Sequence, residues 1–237
     1  MKKLSVVLAV LILMVAVACH AQNKPEDVAK ELQRIFPNFQ VESVSESPVP
    51  GVYEVVGTSG QILYWSPKGY LIFGEIWTKE GKSLTAERRQ ELQAKKIKEI
   101  PLDKAVKVGS GPIQVITFTD PACPFCKRGY DYMSKRADVT EYLFLLPFQG
   151  KASEDRIAYI LCAKDREKAY KEVMENPQKE VKVSQDCKEK AKPIVESYYL
   201  QAAQKVGIGG TPTYFINDKM IPGINIPLIE DALKSKK

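Results

Sequence analysis

Two cysteines, Cys123 and Cys126, lie close together in the stretch TDPACPFCKRG, directly after a short apolar run. Sulfur atoms at this spacing can hold a metal, close a structural disulfide or exchange electrons with another disulfide. Zinc needs four ligands, and the chain offers no second pair: Cys162 and Cys187 are separated by 24 intervening residues, and the single histidine is His20. A disulfide across so short a loop gains little entropy and is easily strained. The spacing therefore favours a redox function and no metal site.

The residues around the pair predict a different function for each sulfur. Pro124 suits the first turn of a helix, where its missing N–H costs nothing. Cys123 is therefore expected at a helix N-terminus, where free N–H groups and the helix dipole stabilise a thiolate. Lys127 and Arg128 are expected to add positive charge. Cys126, one turn further on, is expected to be more buried and less ionised. The pattern predicts that Cys123 attacks a substrate disulfide and that Cys126 resolves the mixed disulfide.

The N-terminus has the pattern of an export signal. Lys2 and Lys3 precede an apolar run that extends from Leu4 to Ala18. Such a run is shorter than the roughly 20 apolar residues of a membrane span, which favours a secretory signal over a permanent anchor. We therefore predict a signal peptide at residues 1–18, with its end between 18 and 21, and a soluble mature protein.

The processing of this signal has two interpretations. Cleavage after Ala18 would remove an ordinary signal peptide, whereas Cys19 could instead become the lipid-modified first residue of a lipoprotein. The chain contains five cysteines, and either outcome leaves two pairs, as expected for an exported protein.

Charge and histidine content exclude several functions. Loss of residues 1–18, which carry Lys2, Lys3 and no acidic residue, would lower the net charge from +6 to +4. The remaining charges alternate in sign along the chain, so the sequence gives no support for nucleic-acid binding. His20 lies in or beside the signal, and this excludes catalysis by histidine in the mature protein.

Cys162 and Cys187 have a different character from the reactive pair. Both lie in stretches of helical composition and, if paired, close a loop of about 25 residues. Such a loop contributes about 3.5 kcal/mol through the entropy of the unfolded chain. Because export leads to an oxidising compartment, a structural disulfide is favoured over two buried free thiols.

A small N-terminal domain is predicted at residues 22–80. Asn23 is a candidate N-cap for a short helix, and strands are expected between Val41 and Thr78 in the stretches VYEVV, QILYW and YLIFGEIW. A unit of this size buries little surface and is marginally stable alone. Its aromatic residues either fill its own core or complete a subunit interface; they are Tyr64, Trp65, Tyr70, Phe73 and Trp77.

The rest of the chain is predicted to form a linker and an α/β domain. The linker is predicted at residues 81–108. Its stretch TAERRQELQAKKIKEI, which ends at Ile100, is rich in charge and contains no proline or glycine, so we expect a mostly solvated helix. The domain at 109–237 begins with a buried strand at Ile113–Phe118 and continues with the cysteine helix and a strand at 141–148. Residues 153–206 have helical composition, interrupted by Pro193, and a third strand and a terminal helix follow.

The stretches VITFTDPACPFC, ILCAKDREKAY, VGIGGTPTYFIN and MIPGINIP resemble the catalytic half of the DsbC/DsbG family of periplasmic disulfide isomerases. The stretch GVYEVVGTSGQILYWSPKGYLIFGEIW is similar to that family's N-terminal dimerisation domain. This resemblance implies a thioredoxin-like fold with a helical insertion, joined to a cystatin-like α+β dimerisation domain. It also implies a V-shaped homodimer whose uncharged cleft receives misfolded proteins.

Carried over by residue, the resemblance implies that Cys123 and Cys126 are the redox pair and that Cys162 and Cys187 form the family's second disulfide. Thr211 and Pro212 match the loop that faces the active site, whose proline is cis in thioredoxin-like folds and presents backbone groups to substrate. The alternative for this GGTP stretch is an ordinary turn.

Two departures from the family pattern concern the redox chemistry. Pro124 and Phe125 separate the cysteines, where the best-known isomerase has Gly-Tyr, and no histidine lies in or after the motif. Thr117 occupies the position, six residues before the first cysteine, at which thioredoxins carry a buried aspartate. Any carboxylate that handles a proton must therefore come from elsewhere in the chain.

The sequence thus predicts an exported thiol:disulfide interchange protein that isomerises or reduces incorrect disulfides through Cys123 and Cys126. The only redox group expected is this cysteine pair, with no cofactor and no metal. Partners implied are misfolded disulfide-containing proteins, a second copy of the chain and a membrane thiol reductase of the DsbD type. Two alternatives remain: a chaperone-like dimer that binds unfolded proteins, or a net thiol oxidase or reductase of the same fold.

Overall fold

The computed structural model describes residues 24–235. The predicted signal peptide, Cys19, His20 and the proposed N-cap Asn23 lie outside the described residues. The described chain separates into two compact units: residues up to Gly57 with Leu63–Gly74, and Thr58–Ile62 with the chain from Glu75 onward.

The first unit begins with helix α1, Pro25–Ile35. Its N-cap position is Lys24, which makes no side-chain cap, and Pro25 occupies the first turn. Val28 and Leu32 are fully buried on one face of the helix. They pack in a small core with residues from the sheet that follows.

A four-stranded sheet with the order β1-β2-β3-β4 completes this unit. Strand β4 is shorter than the predicted YLIFGEIW strand, and Trp77 forms only an isolated bridge with Ser83. The pairs β1–β2 and β3–β4 are antiparallel. The strands are β1 Val41–Glu46, β2 Tyr53–Gly57, β3 Ile62–Ser66 and β4 Tyr70–Ile72.

The aromatic residues of the N-terminal region differ in exposure. Tyr64 and Trp65 are buried, whereas Tyr70, Phe73 and Trp77 are each more than half exposed. Trp65 packs in the core of the first unit, and the subunit interface predicted for the exposed residues stays a prediction.

The second unit is built on a five-stranded sheet with the order β5-β7-β6-β8-β9. Strands β6 and β7 are parallel, and each other neighbouring pair is antiparallel. The strands are β5 Val106–Gly109, β6 Ile113–Thr119, β7 Val139–Leu145, β8 Thr213–Ile216 and β9 Lys219–Pro222.

Strand β5 differs from the predicted organisation. It spans the boundary predicted between residues 108 and 109, and it pairs with β7. The sheet of the second unit therefore begins at Val106 rather than at residue 109. Helix α2, Leu84–Ile97, is also less solvated than its composition suggests, because Gln93 is buried and its amide donates to the Val206 carbonyl at 3.2 Å.

Within residues 24–235, six further α-helices cover this sheet or connect its strands. Pro193 lies near the end of one helix and is followed by a π-helical turn, Val195–Tyr199, which agrees with the predicted break. The helices are α3 Pro124–Met133, α4 Lys151–Cys162, α5 Arg166–Glu175, α6 Gln185–Ile194, α7 Leu200–Val206 and α8 Ile226–Lys234. Helices α4 to α7 form the insertion between β7 and β8.

The main core lies between the sheet and this insertion. Phe118 in β6 stacks on Phe144 in β7, with ring centroids 5.0 Å apart, and meets Phe215 in β8 edge-on. Tyr199 packs edge-on against Phe144 from the π-helical turn. These contacts anchor the insertion to the central strands that carry the cysteine loop. Among residues 24–235, no helix is both long and apolar enough to span a membrane.

Candidate active site

The cysteine pair lies where β6 leads into α3. Cys123 is the N-cap residue of α3, with extended backbone angles, and Pro124 follows it in the first turn. The Cys123 carbonyl accepts the first helical hydrogen bond from the Lys127 N–H at 3.0 Å. The sulfur of Cys123 is therefore attached to the residue that begins the helix, where free N–H groups favour negative charge.

The two sulfurs have different surroundings, and both are free thiols. Cys126 is 2% exposed and Cys123 is 7% exposed. Burial raises the pKa of the Cys126 thiol to about 12, against smaller lowering by hydrogen bonds from Thr119, the Asp120 N–H and Thr211. The Asp120 N–H donates to the Cys126 sulfur at 3.3 Å. The Cys126 thiol is thus held in its protonated form.

The Thr211–Pro212 loop faces Cys123. Its peptide bond is cis, and the Thr211 carbonyl accepts a hydrogen bond from the Cys123 sulfur at 3.8 Å. Strand β8 follows the loop and pairs with β6, with Thr213 opposite Phe118. This pairing brings Thr211 to the cysteine that lies 88 residues earlier in the chain.

The two basic residues after the motif are engaged with neighbours in their own helix. Lys127 forms an ion pair with Asp131, and its ammonium lies 5.8 Å from the centre of the Tyr130 ring. The Arg128 guanidinium lies 5.9 Å from the centre of the Phe125 ring. Both basic side chains therefore contact partners other than the Cys123 sulfur.

A buried aspartate that sequence reasoning missed holds the loop before Cys123. Asp120 is fully buried, and its carboxylate accepts hydrogen bonds from the Ala122 N–H at 2.8 Å, the Gln149 N–H at 2.9 Å and the Ser153 hydroxyl at 2.6 Å. These bonds join the loop to the segment between β7 and α4 and to the first turn of α4. The signal available in the sequence was the Asp-Pro pair directly before the motif.

A shallow cavity of about 270 Å³ opens beside Cys123. Arg156 in α4 lines it and donates to the Pro121 carbonyl at 2.8 Å and to the Pro177 carbonyl. Met174 and Lys127 contribute an apolar and a charged wall. The insertion therefore forms one side of the surface that a substrate meets at the reactive sulfur.

Cys162 and Cys187 form a disulfide with a Cα–Cα distance of 5.9 Å. It links the last residue of α4 to the first turn of α6. The bond therefore holds two helices of the insertion together and is separate from the reactive pair in sequence and in chemistry.

A buried carboxyl group also lies on the sheet, on strand β7. Glu141 is 7% exposed, and it accepts a hydrogen bond from the Thr117 hydroxyl at 2.8 Å. Burial raises the pKa of Glu141 to about 7, and the Thr117 hydrogen bond opposes this to a smaller extent. Thr117, which replaces the carboxylate expected in thioredoxins, thus contacts a carboxylate from the neighbouring strand.

Among the described residues, no three histidine, cysteine, aspartate or glutamate side chains come together in a way that could hold a metal ion. A cysteine pair at a helix N-terminus, opposite a cis-proline loop on a mixed sheet, defines a thioredoxin-like thiol–disulfide oxidoreductase.

Two family models match the chain in agreement with this class. One is described as the disulfide bond isomerase protein N-terminal domain and covers residues 19–86, and the other is a thioredoxin-like domain that covers residues 101–225. The chain belongs to the DsbC family of thiol:disulfide interchange proteins. The resemblance, the fold class and the enzyme class predicted from the sequence are confirmed.

Similar proteins carry the corresponding names. The probable thiol:disulfide interchange protein DsbC of Bordetella pertussis is 29% identical over 84% of this chain and 70% of its own length. Its counterpart from Bordetella avium is 32% identical over 81% of this chain and 67% of its own length. A crystal structure of a disulfide interchange protein from Neisseria gonorrhoeae is 30% identical, with a TM-score of 0.44, and the match covers 56% of this chain and 94% of that one.

Proposed function

We propose that the protein is an exported, dimeric protein-disulfide isomerase that acts in the periplasm. The Cys123 thiolate attacks one sulfur of an incorrect disulfide in a client protein, and the other client sulfur leaves as a thiolate. The resulting mixed disulfide has two fates. A client thiolate displaces Cys123, which is isomerisation without net electron transfer, or Cys126 displaces the client, which reduces the client disulfide and oxidises the pair.

The difference between the two sulfurs carries this proposal. A thiol with a pKa of about 12 is almost entirely protonated at neutral pH, so Cys126 is a poor attacking group. Slow resolution gives a client thiol time to reach the mixed disulfide at Cys123. This asymmetry favours isomerisation over a single cycle of reduction.

The surface around Cys123 supports a polypeptide substrate. The Thr211–Pro212 loop offers backbone groups beside the reactive sulfur, and an extended client segment can pair with them. Phe125 and Phe148 are 57% and 44% exposed, although they are large and apolar. Such side chains suit the apolar segments that a misfolded client exposes.

Dimer formation is supported by the edge of the N-terminal sheet. Strand β4 is an edge strand, and Tyr70 and Ile72 on it, with the adjacent Phe73, are exposed. An unpaired edge with large apolar side chains favours association with a second copy. If sedimentation experiments show a monomer, clients cannot bind in a cleft between two copies of the chain, and that part of the proposal is wrong.

To isomerise, the Cys123–Cys126 pair must be returned to its reduced form. We infer a membrane thiol reductase of the DsbD type as the electron donor and no cofactor other than the pair itself. Export by the signal at residues 1–18, with or without a lipid at Cys19, would place the protein where such a donor acts. The pair is then expected to be mainly reduced in cells and to become oxidised when the reductase is deleted.

The proposal is tested with a client whose disulfides have been scrambled. Cys123→Ala should abolish recovery of the native client, and Cys126→Ala should accumulate mixed disulfides that run as a larger species on non-reducing gels. Full recovery with Cys123→Ala would contradict the proposal. A pair found mainly oxidised in cells would point instead to a net thiol oxidase.

A chaperone-like function is the second candidate, and the exposed Phe125 and Phe148 favour it. If it is the main function, a variant that lacks both Cys123 and Cys126 will still suppress aggregation of an unfolded client. If suppression disappears with the thiols, covalent capture accounts for client binding.

A further inference from the structure

A row of three polar side chains crosses the sheet beneath α3. Glu141 in β7 accepts a hydrogen bond from Thr117 in β6, and Thr117 lies directly opposite Tyr214 in β8. Residues directly opposite in a sheet project from the same face. All three side chains are buried, at 7%, 3% and 1% exposure in that order. The row therefore places three buried polar side chains next to one another on one face of the sheet.

The row meets the helix turn that carries the resolving cysteine. A Cβ atom added at Gly129 in α3 would come 2.1 Å from the Tyr214 hydroxyl oxygen, so this phenol lies against the helix backbone. Gly129 is three residues after Cys126 and therefore lies on the same side of the helix. The Tyr214 end of the row is thus directly below the turn that begins with Cys126.

Hydroxyl groups connect Cys126 with this polar region. Hydrogen bonding by the Thr119 side chain lowers the pKa of both the Cys126 thiol and the Tyr170 phenol, so this hydroxyl lies beside both groups. Burial raises the pKa of Tyr170 and of Tyr214, and in both cases the charges of Glu141 and Cys126 raise it further. Both phenols are therefore within electrostatic reach of the carboxyl group and of the thiol.

Within residues 24–235, burial and the Thr117 hydrogen bond are the influences that act on the pKa of Glu141. The titratable groups that feel the charge of Glu141 are phenols: Tyr130 from α3, Tyr170 from α5 and Tyr214 from β8. All of these groups are neutral when protonated, so none compensates a negative charge on Glu141. One negative charge in this buried region costs free energy of desolvation, and a second negative charge would cost much more because the two would also repel each other.

We propose that Glu141 is the group that takes up the proton released by Cys126 when this thiol resolves the mixed disulfide. The proposal rests on the resolving function of Cys126 proposed above. Glu141 hydrogen-bonds to Thr117 and not to either sulfur, so it acts through the hydroxyl groups beneath α3 and is a positioning residue.

The step balances in atoms and charge. The Cys126 thiol loses its proton to the Glu141 carboxylate, and the Cys126 thiolate attacks the Cys123 sulfur. The Cys123–Cys126 bond forms, the bond from Cys123 to the client breaks, and the client leaves as a thiolate. The two cysteines are oxidised and the client disulfide is reduced. The buried region contains one negative charge before the proton moves, on Glu141, and one after it, on Cys126.

In this arrangement, the protonation state of Glu141 determines whether Cys126 or a client thiol resolves the mixed disulfide. An ionised Glu141 can accept the proton, which favours resolution by Cys126 and hence reduction. A protonated Glu141 cannot, which leaves the mixed disulfide to the client's own thiol. With a pKa of about 7 for Glu141, the balance changes across neutral pH.

The experiment uses the full mature protein with a fluorescent peptide attached to Cys123 through a disulfide. Release of the peptide by Cys126 is followed between about pH 5 and 9, a range that brackets the titration of a raised carboxyl group. In the unaltered protein, the release rate should rise through the ionisation of Glu141 and then level off. Glu141→Gln should release peptide about tenfold more slowly at the upper end of this range and should lose the inflection. This effect is smaller than the roughly hundredfold or greater loss expected for a directly placed general base, because Glu141 acts through intervening hydroxyl groups.

Thr117→Val provides a readout that a purely structural function of Glu141 would not give. Without the Thr117 hydroxyl, the carboxylate loses its hydrogen bond, so the midpoint of the pH profile should move to higher pH. The same change in a Glu141→Gln background should leave the profile unaltered. Alkylation of Cys123 at an unchanged rate in each variant shows that the site is folded.

The outcomes separate the two proposals. If Glu141→Gln releases peptide at the rate and with the pH profile of the unaltered protein, the function assigned to Glu141 is wrong while the resolving function of Cys126 stands. If the unaltered protein releases no more peptide than Cys126→Ala, the resolving function fails, and the proposal for Glu141 fails with it.

Discussion

The Ser153 hydroxyl donates a hydrogen bond to the Asp120 carboxylate at 2.6 Å, which ties the first turn of α4 to the loop before Cys123. The N–H groups of Ala122 and Gln149 donate to the same carboxylate. One buried side chain thus fixes the cysteine loop, the segment that follows β7 and the start of the helical insertion relative to one another.

Asp120→Ala should lower the free energy of unfolding by about 3 kcal/mol, because three hydrogen bonds to this buried carboxylate are lost. Ser153→Ala should cost only about 1 kcal/mol, since the two N–H groups still satisfy the carboxylate. Denaturant unfolding measures both. Asp103→Ala, at an exposed position, is the matched control and should change stability by less than about 0.5 kcal/mol. Equal losses for Asp120→Ala and Ser153→Ala would contradict this account.

Gly129→Ala should destabilise the protein by about 1–3 kcal/mol, because the added methyl group would overlap the Tyr214 hydroxyl. Tyr214→Phe removes that oxygen, so the double variant should recover much of the loss. A double-mutant cycle of unfolding free energies checks this coupling. Additive effects of the two changes would show that the close contact is not the cause.

Glu141→Gln should stabilise the protein at high pH and not at low pH. The pKa of Glu141 rises from its ordinary 4.5 to about 7 in the folded state. Between these values the unfolded chain releases a proton that the folded protein keeps, so stability falls as pH rises and then stays lower. Glutamine lacks this penalty, and the variant should gain up to about 3 kcal/mol above about pH 8. Unfolding at about pH 4 is the control and should show little difference.

Loss of the Cys162–Cys187 disulfide should lower stability and leave the reactive pair functional. The bond closes a loop of 25 residues, for which the entropy of the unfolded chain predicts a loss of about 3.5 kcal/mol. The Cys162→Ala/Cys187→Ala variant, unfolded thermally, checks the loss. Alkylation of Cys123 should proceed as before, and a large change in its rate would mean that the insertion controls the reactive thiol.

The sequence allowed the main elements around the motif to be predicted because each has a local signal. Pro124 marked the start of α3, and the apolar run before Asp120 marked β6. Strands β5 and β9 were missed, since both are short edge strands of the sheet and each pairs with a single neighbour. Pairing between distant segments leaves little trace in a short stretch of sequence.

Side-chain partners were harder to predict than backbone elements. Glu141 is the one charged residue in the otherwise apolar β7, and a strand covered on both faces must bury such a residue. That pattern could have indicated a buried carboxyl group. Its contact with Thr117 could not have been predicted, because it depends on which strands are adjacent. The Lys127–Asp131 pair could have been expected from its spacing of four residues on a helix.

The pairing of β6 with β8 has a consequence for how this enzyme can change. Cys123 and Thr211 face each other because Phe118 and Thr213 are opposite one another in adjacent strands. The segment between Leu145 and Thr213 leaves the sheet and returns to it, so its length does not set the distance between reactive sulfur and loop. The insertion can therefore gain, lose or exchange helices during evolution while the distance between Cys123 and Thr211 stays the same. The condition is that the Asp120 carboxylate keeps its hydrogen bond from Ser153. Changes in the insertion can thus alter which clients bind without altering the reaction at Cys123.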